Sequence, residues 1–262
     1  MRVLMTGLMM GESPRWHEGR LWFCDWMAQE IIALDLDGKS EVVLRVPFSL
    51  PFCIDWLPDG RLLVISGQEG KVLRQEPDGS LVTHADLGHL PRPPWNEIIT
   101  DAYGNAYANC IAYDFPGGEP APGYIALVRP DGSAVQVADG LAFPNGMAIV
   151  GDTLIVAESH GGCLTAFTIQ EDGTLADRRV WADLGDDAPD GICADPDGNI
   201  WYGSVPGQQC VLVKEGGEVL RTIELDRGCF ACALGGDTLF MVTADWSDLF
   251  GSRSGQIVAA FT

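Results

Sequence analysis

Six apolar, strand-forming runs recur along this 262-residue chain at nearly constant intervals: Leu21-Trp22-Phe23, Leu62-Leu63-Val64, Ala106-Tyr107-Ala108, Leu154-Ile155-Val156, Ile200-Trp201-Tyr202 and Leu239-Phe240-Met241. Starts at positions 21, 62, 106, 154, 200 and 239 lie 39 to 48 residues apart, the length of a four-stranded antiparallel unit with short turns. The turns repeat in step. Pro58-Asp59-Gly60, Tyr103-Gly104-Asn105, Pro196-Asp197-Gly198 and Gly236-Asp237 each precede a run, and Asp-Gly or Gly-Asp pairs supply the positive φ of tight hairpins. Pro77-Asp78-Gly79, Pro130-Asp131-Gly132 and similar signals mark an outer hairpin in each unit.

Six such units fill the chain without a linker, which predicts one all-β domain over residues 1–262, a six-bladed β-propeller. Symmetry places the last strand, Gly255 to Phe261, in one blade with Val3-Leu4-Met5, locking the ring. A two-sheet sandwich or jelly roll is the rival architecture. It gives no reason for a common phase in the residues that precede the runs. Counting back nine or ten residues from each run reaches Glu12, Phe52, Asn96, Asn145, Asp190 and Phe230.

In a propeller, positions of one phase form a ring around the central channel. Four members of this ring carry side-chain oxygens and two are apolar wall. Carboxylates and carboxamides at such a place are costly to bury unless paired or metal-bound. Oxygen donors suit hard cations such as Ca²⁺, Mg²⁺ or Mn²⁺. The expectation is therefore a metal site at the central channel.

Charge narrows the partners. With 16 Lys and Arg against 37 Asp and Glu, the net charge of −21 repels phosphate backbones and argues against nucleic acid. No stretch approaches the roughly 20 apolar residues that span a bilayer. The opening Met1-Arg2-Val3-Leu4-Met5-Thr6-Gly7 is too short and too weakly apolar for a signal peptide, so a cytoplasmic location is expected. Eight cysteines scattered through apolar runs read as buried free thiols. The lone Cys229-x-x-Cys232 pair reads as packing, because no second pair completes a zinc site. His17, His84, His89 and His160 fall at no zinc spacing, and no Gly-x-Ser-x-Gly nucleophile signature occurs. Trp22, Trp56, Trp181 and Trp201 read as core, and Trp246 is placed nearer the channel mouth.

Three stretches resemble the SMP-30/gluconolactonase/regucalcin family of six-bladed propeller lactonases that bind one divalent metal. They are Gly11-Glu12-Ser13-Pro14-Arg15-Trp16, Phe143-Pro144-Asn145-Gly146-Met147 and Pro189-Asp190-Gly191-Ile192-Cys193. Asp197-Gly198-Asn199-Ile200-Trp201 is similar to that family's strand entry, and the resemblance spans essentially the whole chain. It implies that Glu12, Asn145 and Asp190 hold the cation, that Asn96 faces the substrate, and that Asp190 is the general base for water attacking a lactone or related ester. Ca²⁺ is the cation in family terms, with Mg²⁺, Mn²⁺, Zn²⁺ or Fe²⁺ as other occupants. An arylesterase or phosphotriesterase on the same scaffold, or a non-enzymatic ligand-binding propeller with a structural metal, are the alternatives. One stretch departs from the pattern. Sugar-lactone members often carry Arg-x-Asn-Asp, whereas this chain has Pro93-Pro94-Trp95-Asn96-Glu97, its nearest arginine being Arg92. Trp95 is accordingly a candidate substrate contact suited to a less polar lactone or ester, with simple packing as its plain alternative.

Overall fold

Each apolar run becomes the second strand of a four-stranded antiparallel sheet, and six such sheets form a six-bladed β-propeller. The computed structural model describes residues 1–48, 50–91, 93–248 and 252–262; Arg92 lies outside the described residues. The innermost strands of blades 1 to 6 are Gly11–His17, Phe52–Trp56, Trp95–Thr100, Pro144–Val150, Pro189–Ala194 and Gly228–Gly235. Each touches the inner strands of both neighbouring blades, and the sixth touches the first. The ring closes as the symmetry of the sequence suggests. Arg2–Leu8 pairs antiparallel with Gly255–Phe261 and forms the outermost strand of blade 6, so both chain ends share one sheet.

Packing lies between the blades. Tyr107 and Leu127 of blade 3 meet Met147 and Val156 of blade 4. Ile155 and Trp181 of blade 4 meet Ile200 and Tyr202 of blade 5. Six of the eight cysteines are buried and two are half-buried. Cys232 sits in the layer between blades 5 and 6, where its Sγ accepts from Cys193 Sγ at 3.6 Å. Trp181 and Trp201 are core, whereas Trp22 and Trp56 are half-buried and gather around His17, with His17 stacked on Trp56 at 4.1 Å.

Much of the acidic surplus shapes turns. Asp35, Asp101 and Asp195 each accept, on one carboxylate oxygen, the N–H groups two and four residues ahead at 2.8–2.9 Å. Such Asx turns hold the hairpins in which Gly104 and Gly198 adopt φ of 85° and 84°. Among the described residues no helix is long and apolar enough to cross a membrane.

An ion pair links the inner strands of blades 1 and 3. Arg15, on the inner strand of blade 1, reaches across blade 2 to blade 3, where its Nη2 donates to Glu97 Oε1 at 3.0 Å and to the Ile98 carbonyl at 2.8 Å. The same Glu97 oxygen accepts from Ser13 Oγ at 3.2 Å and from the Ile98 N–H at 2.9 Å. Burial alone would lower the pKa of Arg15, but Glu97 and Asp55 outweigh it and the net shift is upward. Breaking a largely buried pair from one side leaves an uncompensated charge, at a cost of about 3–5 kcal/mol. Glu97→Ala is therefore expected to reduce unfolding free energy by about that amount in urea titrations, and a loss below about 1 kcal/mol would show that the pair holds little.

Candidate active site

The six ring residues all fall at the start of the innermost strands, but bulges decide which of them face the axis. In five blades the pairing of first and second strand slips at or beside the ring residue: Glu12/Arg15, Trp95/Glu97, Pro144/Met147, Pro189/Ile192 and Cys229/Ala231. A bulge bends the strand and re-aims a side chain. Glu12, Asn96, Asn145, Asp190 and Phe230 accordingly line one cavity of about 360 Å³ at the axis. The inner strand of blade 2 pairs without a slip, and Phe52 is fully buried in the core instead. Phe52 is thus not part of the wall.

Trp95 does not reach the cavity either. Side chains alternate along a strand, so while Asn96 faces the axis its neighbour turns into the blade 2–3 core. There the indole is 1% exposed and lies edge-on to Tyr124 at 5.2 Å. Glu97, held by Arg15 and Ser13, also lies off the cavity wall.

Hydrogen bonds orient the polar members. Asn96 Nδ2 donates to Asn145 Oδ1 at 3.2 Å and to the Pro144 carbonyl at 3.3 Å. Asn145 Nδ2 donates to Ser159 Oγ at 3.2 Å, and that hydroxyl donates to the Pro189 carbonyl at 2.7 Å. The chain of bonds runs from blade 3 through blade 4 to blade 5, with Asn145 Oδ1 turned to the Asn96 amide. Two glycines let the inner strands crowd together beside it. A Cβ on Gly146 would fall 2.4 Å from Ile192 N, and one on Gly191 would fall 2.4 Å from Ala231 Cβ. Ser13, after Glu12, holds φ of 50°, a conformation costly for a residue with a side chain.

The floor is electrostatically unbalanced. Burial, then Asp190 and Glu97, push the Glu12 carboxyl well above the usual range. Burial, then Glu97, do the same to Asp190, against a lowering hydrogen bond from Asn145. Among the described lining residues there is no Lys or Arg to offset them. Nor do three His, Cys, Asp or Glu side chains cluster as a metal-binding group among the described residues; the ring set offers two carboxylates and an amide oxygen.

Two further tiers of the wall come from positions that ring spacing alone does not select. Residues two before the ring positions, Met10, Leu50, Pro94, Phe143 and Ala188, are all apolar and all line the cavity. A second set follows the second strands, about five residues after each run begins: Trp26, Gln68, Ile111, Ser159, Val205 and Trp246. The same six apolar runs carry that signal in the sequence. Trp246 stands at the mouth, as its position suggested, with its ring 5.9 Å from Phe230. A larger surface groove of about 470 Å³, lined by His17, Trp56 and Arg61, contains none of the ring residues.

A six-bladed propeller with an oxygen-rich floor inside an apolar cavity defines a class of axial-site propellers, and sequence comparison identifies the branch. The chain belongs to the SMP-30/gluconolactonase/LRE-like family, whose conserved region matches residues 10–245. The pentonolactonase XacC of Haloferax volcanii is 26% identical over 258 residues, covering 93% of this chain and 84% of that protein. Two solved structures share the fold. A luciferin-regenerating enzyme superposes with a TM-score of 0.83 at 19% identity, covering 99% of this chain and 93% of its own. The regucalcin of Agrobacterium tumefaciens, described as a calcium-binding protein, gives 0.80 at 19% identity, with coverage of 98% and 92%.

The raised carboxyls make a signed prediction. A folded pKa above the unfolded value near 4 means that the folded protein binds more protons in that window. The contribution of Glu12 and Asp190 to stability is therefore greatest below about pH 4 and is lost as pH rises through their elevated folded values. In EDTA, Glu12→Gln should unfold at a higher temperature than the parent at pH 7.5, with the gap closing towards pH 4. A gap independent of pH would contradict the placement of these charges.

Proposed function

We propose that this protein is a divalent-cation-dependent hydrolase that opens a lactone or a closely related ester. The observation that carries the proposal is the convergence of Glu12, Asn96, Asn145 and Asp190, from four blades, on the floor of one apolar cavity. Membership of the family and the pentonolactonase relative support a lactone as substrate.

The floor fits a hard cation, because Glu12, Asn145 and Asp190 offer oxygen donors and no Lys or Arg competes among the described lining residues. Ca²⁺ is the first candidate, with Mg²⁺, Mn²⁺, Zn²⁺ and Fe²⁺ as alternatives. When bound, such a cation polarises a carbonyl and acidifies water.

The chain's own residues supply the rest. Asp190 accepts a proton from the attacking water as its oxygen bonds to the carbonyl carbon. When the ring C–O bond breaks, that proton passes to the leaving alkoxide, and one lactone plus one water becomes one hydroxy acid. Asn96 keeps its Oδ1 free after its amide N–H groups are engaged, and holds the substrate beside Asp190. The apolar tiers above exclude bulk water, which strengthens every charge interaction at the floor.

The test is hydrolysis of sugar, aliphatic and aromatic lactones by protein stripped with EDTA and reloaded with each cation. Asp190→Asn should lower kcat by about 10²- to 10⁴-fold. Glu12→Gln and Asn145→Ala should weaken cation binding in calorimetry. Tight cation binding without turnover of any lactone would favour a binding protein, and preferred turnover of aryl esters or phosphotriesters would favour the other hydrolase class.

A further inference from the structure

Polarity in the axial cavity is sorted by height. The carboxylates and carboxamides lie at the floor, whereas the tier directly above, from Met10 to Ala188, is apolar in every blade that contributes to it. Aromatic rings continue the wall to the mouth on two sides. Phe115 packs edge-on against Phe143 at 5.0 Å on the blade 3–4 side, and Trp246 leans on Phe230 on the blade 6 side. Phe115 and Trp246, at the entrance, are 46% and 55% exposed.

The polar groups above or beside the floor are mostly committed. Ser159 Oγ both donates, to Pro189, and accepts, from Asn145. Both N–H groups of the Asn96 amide are bonded within the protein. His160 turns its Nδ1 to Tyr113 at 3.5 Å and, like Gln68, is exposed at the rim. The position two before Asn96 is Pro94, which offers no side-chain donor to the cavity it lines. A ligand body bearing several hydroxyls would leave them without partners between floor and rim, and each unpaired buried hydroxyl weakens binding by roughly tenfold.

We propose that the cavity selects an amphipathic ligand: a lactone or ester head at the floor carrying an alkyl or aryl body that fills the aromatic throat, in preference to a polyhydroxylated sugar lactone. The identity of the head group rests on the hydrolase reading above; the preference for an apolar body rests on the wall. Phe115, Phe143, Phe230 and Trp246 are the specificity-determining residues. Each methylene drawn from water into such a wall strengthens binding by up to about fourfold.

Unreactive lactams separate the two readings, because they present the ring and carbonyl but resist hydrolysis. Calorimetry on Ca²⁺-loaded protein would compare pyrrolidin-2-one, its 5-propyl and 5-pentyl derivatives, and a trihydroxylated lactam of pentonolactone shape. The pentyl compound is expected to bind at least tenfold more tightly than the parent ring, and the hydroxylated compound at least a hundredfold more weakly than the pentyl. Phe115→Ser and Trp246→Ser, both at exposed positions, should shrink the pentyl-over-parent ratio at least threefold while keeping the circular dichroism spectrum of the parent protein. A flat alkyl series, no lactam binding at all, or tighter binding of the hydroxylated lactam would overturn the proposal. Turnover of the matching lactones then tells the two readings apart. Alkyl-lactam binding with no lactone hydrolysed would sink the hydrolase reading and leave the apolar-body preference standing, whereas a hydroxylated substrate with the highest kcat/KM would do the reverse.

Discussion

The arrangement of the axial site depends on where the one basic side chain of the inner strands' centre is committed. Arg15 shares a strand with Glu12 but its guanidinium turns to Glu97, Asp55 and the Ile98 carbonyl. That commitment ties blade 1 to blade 3 across the axis, and it fixes Glu97 beside Asn96 with three donors on a single oxygen. It also withholds the cation from the floor. Had Arg15 reached Glu12 or Asp190, the two carboxyls would be neutralised internally. Instead the charge of Glu97 adds to burial at both carboxyls, with that of Asp190 also acting on Glu12, and the floor stays short of positive charge. A protein with a net charge of −21 surrounds that deficit with a field that draws small cations towards it.

The repeat, the blade count and the closure of the ring by both termini were legible in the sequence because each follows from spacing. Strand runs at a constant interval imply hydrogen-bonded sheets of constant size, and six such sheets leave the faces of the two end sheets uncovered unless the ring closes. The ring of Glu12, Asn96, Asn145, Asp190 and Phe230 was legible for the same reason. Phe52 and Trp95 were not, because the direction of a side chain depends on pairing register rather than on distance along the chain. Phe52 has the right count but no bulge beside it. Trp95 has a bulge, yet stands one residue from the position that the bulge re-aims. One slipped residue exchanges axis for core, and no count made on the chain alone records the slip.

The upper tiers show the converse. Met10, Leu50, Pro94, Phe143 and Ala188 stand at a constant offset from the ring, and Trp26, Ile111, Ser159 and Val205 stand five residues after the starts of their runs. Both offsets were present in the sequence, but the first is wholly apolar and the second mixes apolar residues with Gln68 and Ser159: apolar residues near strands look like core until their common side of the ring is known. Polar outliers announce a site, whereas an apolar wall is silent without coordinates. The wall nonetheless governs the chemistry below it. By lowering the local dielectric it magnifies the repulsion between Glu12 and Asp190 and the pull of both on a positive charge.

Floor and wall therefore constrain each other. A charged floor under an open, hydrated mouth would be screened, and its carboxyls would behave as ordinary surface groups. An apolar throat over a neutral floor would bind greasy molecules without distinguishing their polar ends. On the proposed reading, the two tiers would orient a ligand with its carbonyl at a cation held by the floor oxygens and its body towards Phe115 and Trp246, an arrangement that lowers the entropic cost of reaction. The ring closed by Arg2–Leu8 and Gly255–Phe261 is the support that keeps the six contributing blades in register.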